Sequence, residues 1–242
     1  MKYMLFVFLG TAAAALMLAG AQIWVISQHI RKMTYDSKPY IRHLPSARSR
    51  FFFMGDSTAV GTGAPDNTQS VAGYFGQDFP GAEIDNDSFN GRKVNELAAR
   101  FPKIQGPAYD LVVVQIGAND IMKFTPFRDI DSGITAVIKD AKRIGRHVVI
   151  LHSGNVGLAP VFIWPFDWIM TQRARAVRRL YMDKARECGV LYVDLFTERG
   201  NDLFLTDIPK FYSKDHLHPS GEGYRWWYQQ IRATLSGAGV VL

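Results

Sequence analysis

Cysteine is nearly missing from this chain of 242 residues, and with Cys188 standing alone no intrachain disulfide can form. Net charge is missing too where most of the chain lies. Residues 51–242 hold 21 Lys and Arg against 21 Asp and Glu. The formal excess of +6 comes from residues 1–50, where Lys2, Arg31, Lys32, Lys38, Arg42, Arg48 and Arg50 face only Asp36. A balanced main segment argues against nucleic acid as a partner, and a basic N-terminal tract suits a membrane surface. Beyond residue 50 there is no internal repeat and no low-complexity stretch, which excludes a solenoid or a linker-like chain. Apolar residues at 48% and charged ones at 21% are enough for one sizeable core, so a single globular domain is expected over 51–242.

Charge is also absent from Tyr3 to Ser27, 25 residues that as a helix at ~1.5 Å each outspan a ~30 Å hydrocarbon core. A single N-terminal membrane anchor over residues 1–27 is the expectation. Ala19-Gly20-Ala21 has the form of a signal-peptidase site, but the apolar run continues through Ile23, Trp24, Val25 and Ile26, past the ~7–15 residues of a signal h-region. A cleaved segment would make the protein secreted or periplasmic. Five basic residues (Arg31, Lys32, Lys38, Arg42, Arg48) follow the segment against one before it, which favours a cytoplasmic C-terminal domain. Residues 28–50, with Pro39, Pro45 and scattered Ser and Arg, read as a basic linker.

Short apolar runs then alternate with amphipathic stretches. Phe51–Met54, Ala82–Asn86, Leu111–Ile116, Val148–Leu151 and Val190–Leu195 read as buried strands. Asn67–Phe79, Arg92–Phe101, Ile130–Ile144, Trp168–Cys188 and Gly221–Leu235 read as helices. Strands apolar at nearly every position and separated by helices predict a parallel sheet covered on both faces. Ligands bind such sheets outside the carboxyl ends of the strands, and the unusual polar residues fall there: Gly55-Asp56-Ser57, Ser88 to Gly91, and Gly117-Ala118-Asn119-Asp120.

A serine hydroxyl needs a base to take its proton and donors for the oxyanion it creates. Ser57 ends the first strand. In Asp215-His216-Leu217-His218-Pro219 an acid stands three residues ahead of a histidine, close enough to accept its Nδ1 hydrogen and leave Nε2 for the serine. In an extended loop His216 and His218 point the same way, and His218 is taken as the base because the fuller pattern fits it. Asn119 and Gly91 supply a side-chain amide and an approachable backbone N–H for an oxyanion. Taken singly these motifs also read as a strand-to-loop turn, a polar cap, a helix cap and a turn glycine; their strength lies in their order.

Together they resemble the SGNH hydrolases, also called GDSL hydrolases, from Phe51 to Tyr224. Gly55-Asp56-Ser57-Thr58 with Ala59-Val60-Gly61-Thr62-Gly63 is similar to the first block of that family, with Thr58 in place of the usual leucine. Asn90-Gly91 is a loose match to the second block, Gly117-Ala118-Asn119-Asp120 a close one to the third, and Asp215-His216-Leu217-His218-Pro219 has the D-x-x-H-P form of the last. The resemblance implies a flavodoxin-like α/β/α sandwich and ester hydrolysis without metal or cofactor. It assigns Ser57 as nucleophile and oxyanion donor through its N–H, Gly91 and Asn119 as further donors, and Asp215 and His218 as acid and base.

The connection from Val156 to Trp168 holds Val161, Phe162, Ile163, Trp164, Pro165, Phe166 and Trp168. It reads as a buried lid, as an acyl-binding wall faced by Phe124, Pro126 and Phe127, or as a patch touching the bilayer. The helix after it carries Arg173, Arg175, Arg178, Arg179, Lys184 and Arg186, read as a solvated face. Two other functions fit parts of the pattern. A metal-dependent phosphoesterase would use Asp56, Asn119, Asp120, His216 and His218, although the Asp-x-His motif expected before Gly55 is absent. A membrane-tethered binding protein on the same scaffold would need no turnover.

Overall fold

The computed structural model describes residues 36–100 and 109–242. The N-terminal segment lies outside them, and Ser37–Leu242 forms one compact unit. Its frame is five strands: β1 (Ser49–Gly55), β2 (Ala82–Asn86), β3 (Tyr109–Gln115), β4 (Gly145–Leu151) and β5 (Leu191–Tyr192). They pair in parallel in the order β2-β1-β3-β4-β5, so chain order reverses between β1 and β3. This is the expected flavodoxin-like sandwich, and its switch point lies between the two strands that end in Gly55-Asp56-Ser57 and Gly117-Ala118-Asn119.

Strand alternation divides the apolar runs between two cores. Phe51, Phe53, Leu111, Val113, Val149 and Leu151 face one layer, with α2 (Val71–Asp78) and α8 (Gly221–Gly237). Phe52, Met54, Val112, Val114, Val148 and Ile150 face the other, with α3 (Val94–Arg100), α5 (Phe127–Ile144) and α6 (Phe166–Cys188). Each large apolar side chain so buried contributes about 1.5–3 kcal/mol. In α5 the buried Ile130, Ile134, Val137, Ile138 and Ala141 recur at the helical period, and Lys142 and Arg143 close its last turn where the helix dipole favours positive charge. Ser220 caps α8, its Oγ accepting from Gly223 N at 3.2 Å.

The structure departs from the sequence reading at three places. Three one-turn helices, α1 (Ser57–Val60), α4 (Ala118–Met122) and α7 (Ile208–Phe211), appear where loops were expected. The fifth strand keeps two paired residues of the six expected, with Val193 N still reaching Ile150 O at 3.0 Å. Part of the expected linker is packed structure. Arg42 N and O bond Ile84 O and N at 2.9 and 2.8 Å, and its guanidinium donates to the carbonyls of Gly76, Phe79 and Ala82. These carbonyls lie in the last turn of α2, just after it and at the start of β2, so the arginine ties that junction together, and Tyr40 packs against the α2 core beside it.

Candidate active site

Ser57 is carried on a turn that only glycine permits. A Cβ at Gly55 would stand 1.9 Å from Gln115 O, so β1 and β3 meet closely just before the serine. Asp56 then caps α1, its Oδ1 accepting from Thr58 N at 2.9 Å and Thr58 Oγ1 at 2.8 Å. Complete burial pushes the Asp56 carboxyl up from its ordinary range, against the pull of those two bonds. Ser57 follows at the mouth of a cavity, 6% exposed.

His218 meets it from the other end of the chain. Ser57 Oγ lies 2.9 Å from His218 Nε2, and His218 Nδ1 lies 2.6 Å from Asp215 Oδ2. The carboxylate can only accept, so Nδ1 carries the hydrogen and Nε2 is free to accept from the serine. The other oxygen, Asp215 Oδ1, accepts from Ser213 Oγ at 2.6 Å and from the N–H groups of Leu217 and His218, both at 2.9 Å. Burial works against the charge on Asp215, but the hydrogen bond to His218 and the electrostatic pull of that ring, with the Ser213 hydroxyl, outweigh it and hold the acid well below the usual carboxylate range.

The loop bearing these residues is a tight turn, not an extended segment. Ser213 N bonds His218 O at 2.9 Å, His216 N bonds Ser213 O at 3.0 Å, and His216 adopts φ 57°. The alignment of the two histidines that an extended loop would give does not arise: His216 is exposed, and His218, the base chosen from the sequence, is buried. Gly63 makes room for this turn, at φ 99°, since a Cβ there would fall 2.5 Å from Pro219 O and 2.8 Å from His218 Cβ.

Asn119 sits in the first turn of α4, buried, with its Nδ2 lacking any protein acceptor. Ala118, its neighbour, lines the same cavity as Ser57. Gly91 is exposed at φ 79°, and its carbonyl accepts from Lys123 Nζ at 2.8 Å. Beside it, Asn90 Oδ1 takes the Thr62 hydroxyl at 2.8 Å, which ties this loop to the turn after the serine. The structure thus joins Ser57, His218 and Asp215 by direct bonds. It sets Asn119 on the neighbouring strand end and leaves Gly91 in the adjoining turn.

The cavity holds about 100 Å³ and is walled by Met122, Val156, Leu203, Phe204, Leu217 and Trp227 among others. Of the Val156–Trp168 connection, Val156 and Ala159 line it and Val161 to Trp168 do not, and Ile163, Trp164, Phe166 and Trp168 stand exposed, which corrects the acyl-wall expectation for that later part and the buried-lid expectation for those four residues. Phe124 and Phe127, expected as the facing wall, are half exposed and flank the Arg173 guanidinium at 4.8 and 4.9 Å. Arg173 also donates to the carbonyls of Asp120, Ile121 and Thr125, bracing α4 from behind. With Ser213, it is a supporting residue that no motif announced, while Asp120, from the third motif, steadies the start of α3 by accepting from Val94 N at 3.0 Å on Oδ2. Of the other arginines on α6, Arg175 pairs with Glu198 at 2.8 Å and Arg178 pairs with Asp194, so the solvated-face reading overlooked partners outside the helix.

Among the described residues the group suited to a metal ion is His43, Glu83 and Asp85, where Arg50 already pairs with both acids. The ligands named for a phosphoesterase do not gather into such a group among the described residues: Asp56 caps α1, Asp120 accepts from Val94 N, His218 holds Asp215, and His216 is exposed.

The GDSL-like lipase/acylhydrolase family model matches residues 53–226. The chain belongs to that family. It is an ester-hydrolysing hydrolase of the GDSL type. No curated protein matches it by sequence. Among solved structures it is similar to TesA, with 20% identity and a TM-score of 0.61 over 78% of this chain and 98% of that one. A lipolytic G-D-S-L protein from Veillonella parvula gives 17% and 0.61 over 77% and 98%. A catalytic mutant of Axe2, an acetylxylan esterase from Geobacillus stearothermophilus, gives 18% and 0.58 over 81% and 96%. Likeness at such identities speaks for the fold alone.

Proposed function

We propose that the protein hydrolyses carboxylic esters through an acyl-enzyme on Ser57. The unbroken line from Asp215 through His218 to the Ser57 hydroxyl at the mouth of a largely apolar cavity carries this reading. As Ser57 Oγ bonds to the ester carbonyl carbon, its proton passes to His218 Nε2, and Asp215 stabilises the imidazolium. The tetrahedral oxyanion is held by the Ser57 N–H and Asn119 Nδ2, with Gly91 N–H as a third donor. Collapse breaks the bond to the alcohol oxygen, which leaves with the proton from His218. Water, activated by the same imidazole, then frees the acid and regenerates the serine.

The protein works tethered to a membrane through Tyr3 to Ser27, the charge-free run that outspans the hydrocarbon core. Among the described residues no helix is long and apolar enough to cross a membrane, so the tether rests on that segment. The excess of basic residues after it favours the cytoplasmic side.

A fluorophosphonate probe on the purified chain, read by peptide mass, tests the reaction. Labelling at Ser57 that Ser57→Ala abolishes along with ester hydrolysis is the expected result. Hydrolysis that survives in a folded Ser57→Ala protein, or that chelation abolishes and a divalent cation restores, overturns it.

A further inference from the structure

Four large apolar side chains stand in the open within six residues: Ile163 at 60% exposure, Trp164 at 79%, Phe166 at 49% and Trp168 at 60%. Two exposed tryptophans and two aliphatic or aromatic neighbours in one connection form a ridge, not the scattered apolar residues of an ordinary surface. The ridge is firmly built. Phe162 N bonds Ala159 O at 2.9 Å, Phe166 N bonds Ile163 O at 2.8 Å, and Phe162 packs into the core below. Asp167 is the acid within it, and Arg199 pairs with that carboxylate at 2.9 Å. No bare negative charge therefore opposes an apolar or anionic surface.

The connection that carries the ridge is anchored beside the active site. Val161 N bonds His216 O at 3.1 Å, inside the turn that holds Asp215 and His218. Val156 and Ala159, a few residues earlier in the same connection, line the Ser57 cavity.

We propose that this ridge docks on a lipid bilayer and that the substrate is an amphiphilic ester drawn from that surface; this rests on the ester-hydrolase reading above. Tryptophan is the side chain enriched at the headgroup boundary, where its ring is apolar and its N–H is wet. The length of the preceding chain points to the same occupant. Nine residues, 28–36, separate the charge-free segment from the packed unit that starts at Ser37, a reach of at most ~30 Å. A cavity of about 100 Å³ suits the short side of the ester, and the long side remains in the bilayer.

The test uses the full chain in phosphatidylcholine vesicles, so that the tether is present throughout. In a Trp24→Phe background, lipids brominated near the headgroup end of the acyl chains should quench tryptophan emission. Adding Trp164→Phe and Trp168→Phe should remove most of that quenching. In parallel, Trp164→Asp with Trp168→Asp should lower the rate on hexadecyl butyrate in vesicles roughly tenfold or more and leave 4-nitrophenyl butyrate in solution within about twofold. Quenching that is absent, or unchanged when the ridge tryptophans are replaced, overturns the docking. So does an equal loss on both esters, which marks a structural role, no loss on either, or a wild-type dimer that the Asp pair dissociates, which marks a contact between copies. Failure of the ester-hydrolase reading shows itself separately, as 4-nitrophenyl butyrate turnover that does not depend on Ser57.

Discussion

Ser213 donates its hydroxyl to Asp215 Oδ1 at 2.6 Å, on the oxygen opposite the one that holds His218. The acid is thereby fixed from both sides, and its orientation toward the imidazole does not depend on His218 alone. Ser213→Ala should cost about 1 kcal/mol of that support and lower kcat several-fold with little change in KM. A KM effect of the same size with kcat intact would assign Ser213 to substrate binding instead.

The two histidines of the turn should behave differently. His218→Ala is expected to lower kcat by roughly the 10⁴–10⁶ typical of a member of a catalytic unit, and Ser57→Ala in combination should add little. His216→Ala, at an exposed position, should stay near wild type. Single and double variants assayed on one soluble ester decide it, and the reverse ranking would move the base to His216.

The depressed pKa of Asp215 has a consequence for stability. A carboxyl whose folded pKa lies below its ordinary ~3.9 contributes stability that is fully present above that value and is lost as pH falls through the folded pKa. Urea unfolding of wild type and Asp215→Asn should therefore differ most at pH 5–7. The gap should close as pH is lowered from about 4 toward 2. A gap that is constant with pH would mean that the substitution acts through packing and not through charge.

Asn119→Ala should reduce kcat by about 10²–10³, the usual loss of one oxyanion donor, and Gly91→Ala by much less. A Cβ at Gly91 meets only Lys123 Nζ at 3.9 Å, so its cost comes from the φ of 79° and not from crowding. Near wild-type kcat in a folded Asn119→Ala protein would give the oxyanion to other donors.

Acyl length should show a ceiling. The cavity of about 100 Å³ is smaller than the ~150 Å³ that admits a benzene ring. At ~0.8 kcal/mol per buried methylene, kcat/KM should rise about tenfold from acetyl to butyryl esters of one leaving group and gain nothing further at octanoyl. A preference that keeps growing to octanoyl would show that the acyl chain lies along another surface.

Much of this was legible because strands buried on both faces leave continuous apolar runs, as Phe51–Met54 and Leu111–Ile116 do, because Ser57 and Asn119 follow strand ends, and because Asp215 and His218 share one short motif. What escaped had non-local causes. Arg42 looks like linker charge until the carbonyls it serves, 34 to 40 positions away, are brought to it. Ser213 and Arg173 carry no motif, since their partners are a carboxylate oxygen and main-chain carbonyls met only in the folded chain. The Val161 to Trp168 run announced its apolarity but not its exposure, because hydrophobic content does not say which side of the surface a loop takes.

Ser57 and His218 stand 161 positions apart, and the histidine is followed directly by α8, which packs against the strand that leads to Ser57. Up to the moment that helix packs beneath the sheet, a growing or partly unfolded chain holds an ordinary serine with no reactivity toward esters. Covalent capture of Ser57 therefore doubles as a count of molecules in which that histidine has reached its place, and a cut before Ser213 silences the chemistry by removing Asp215 and His218 together.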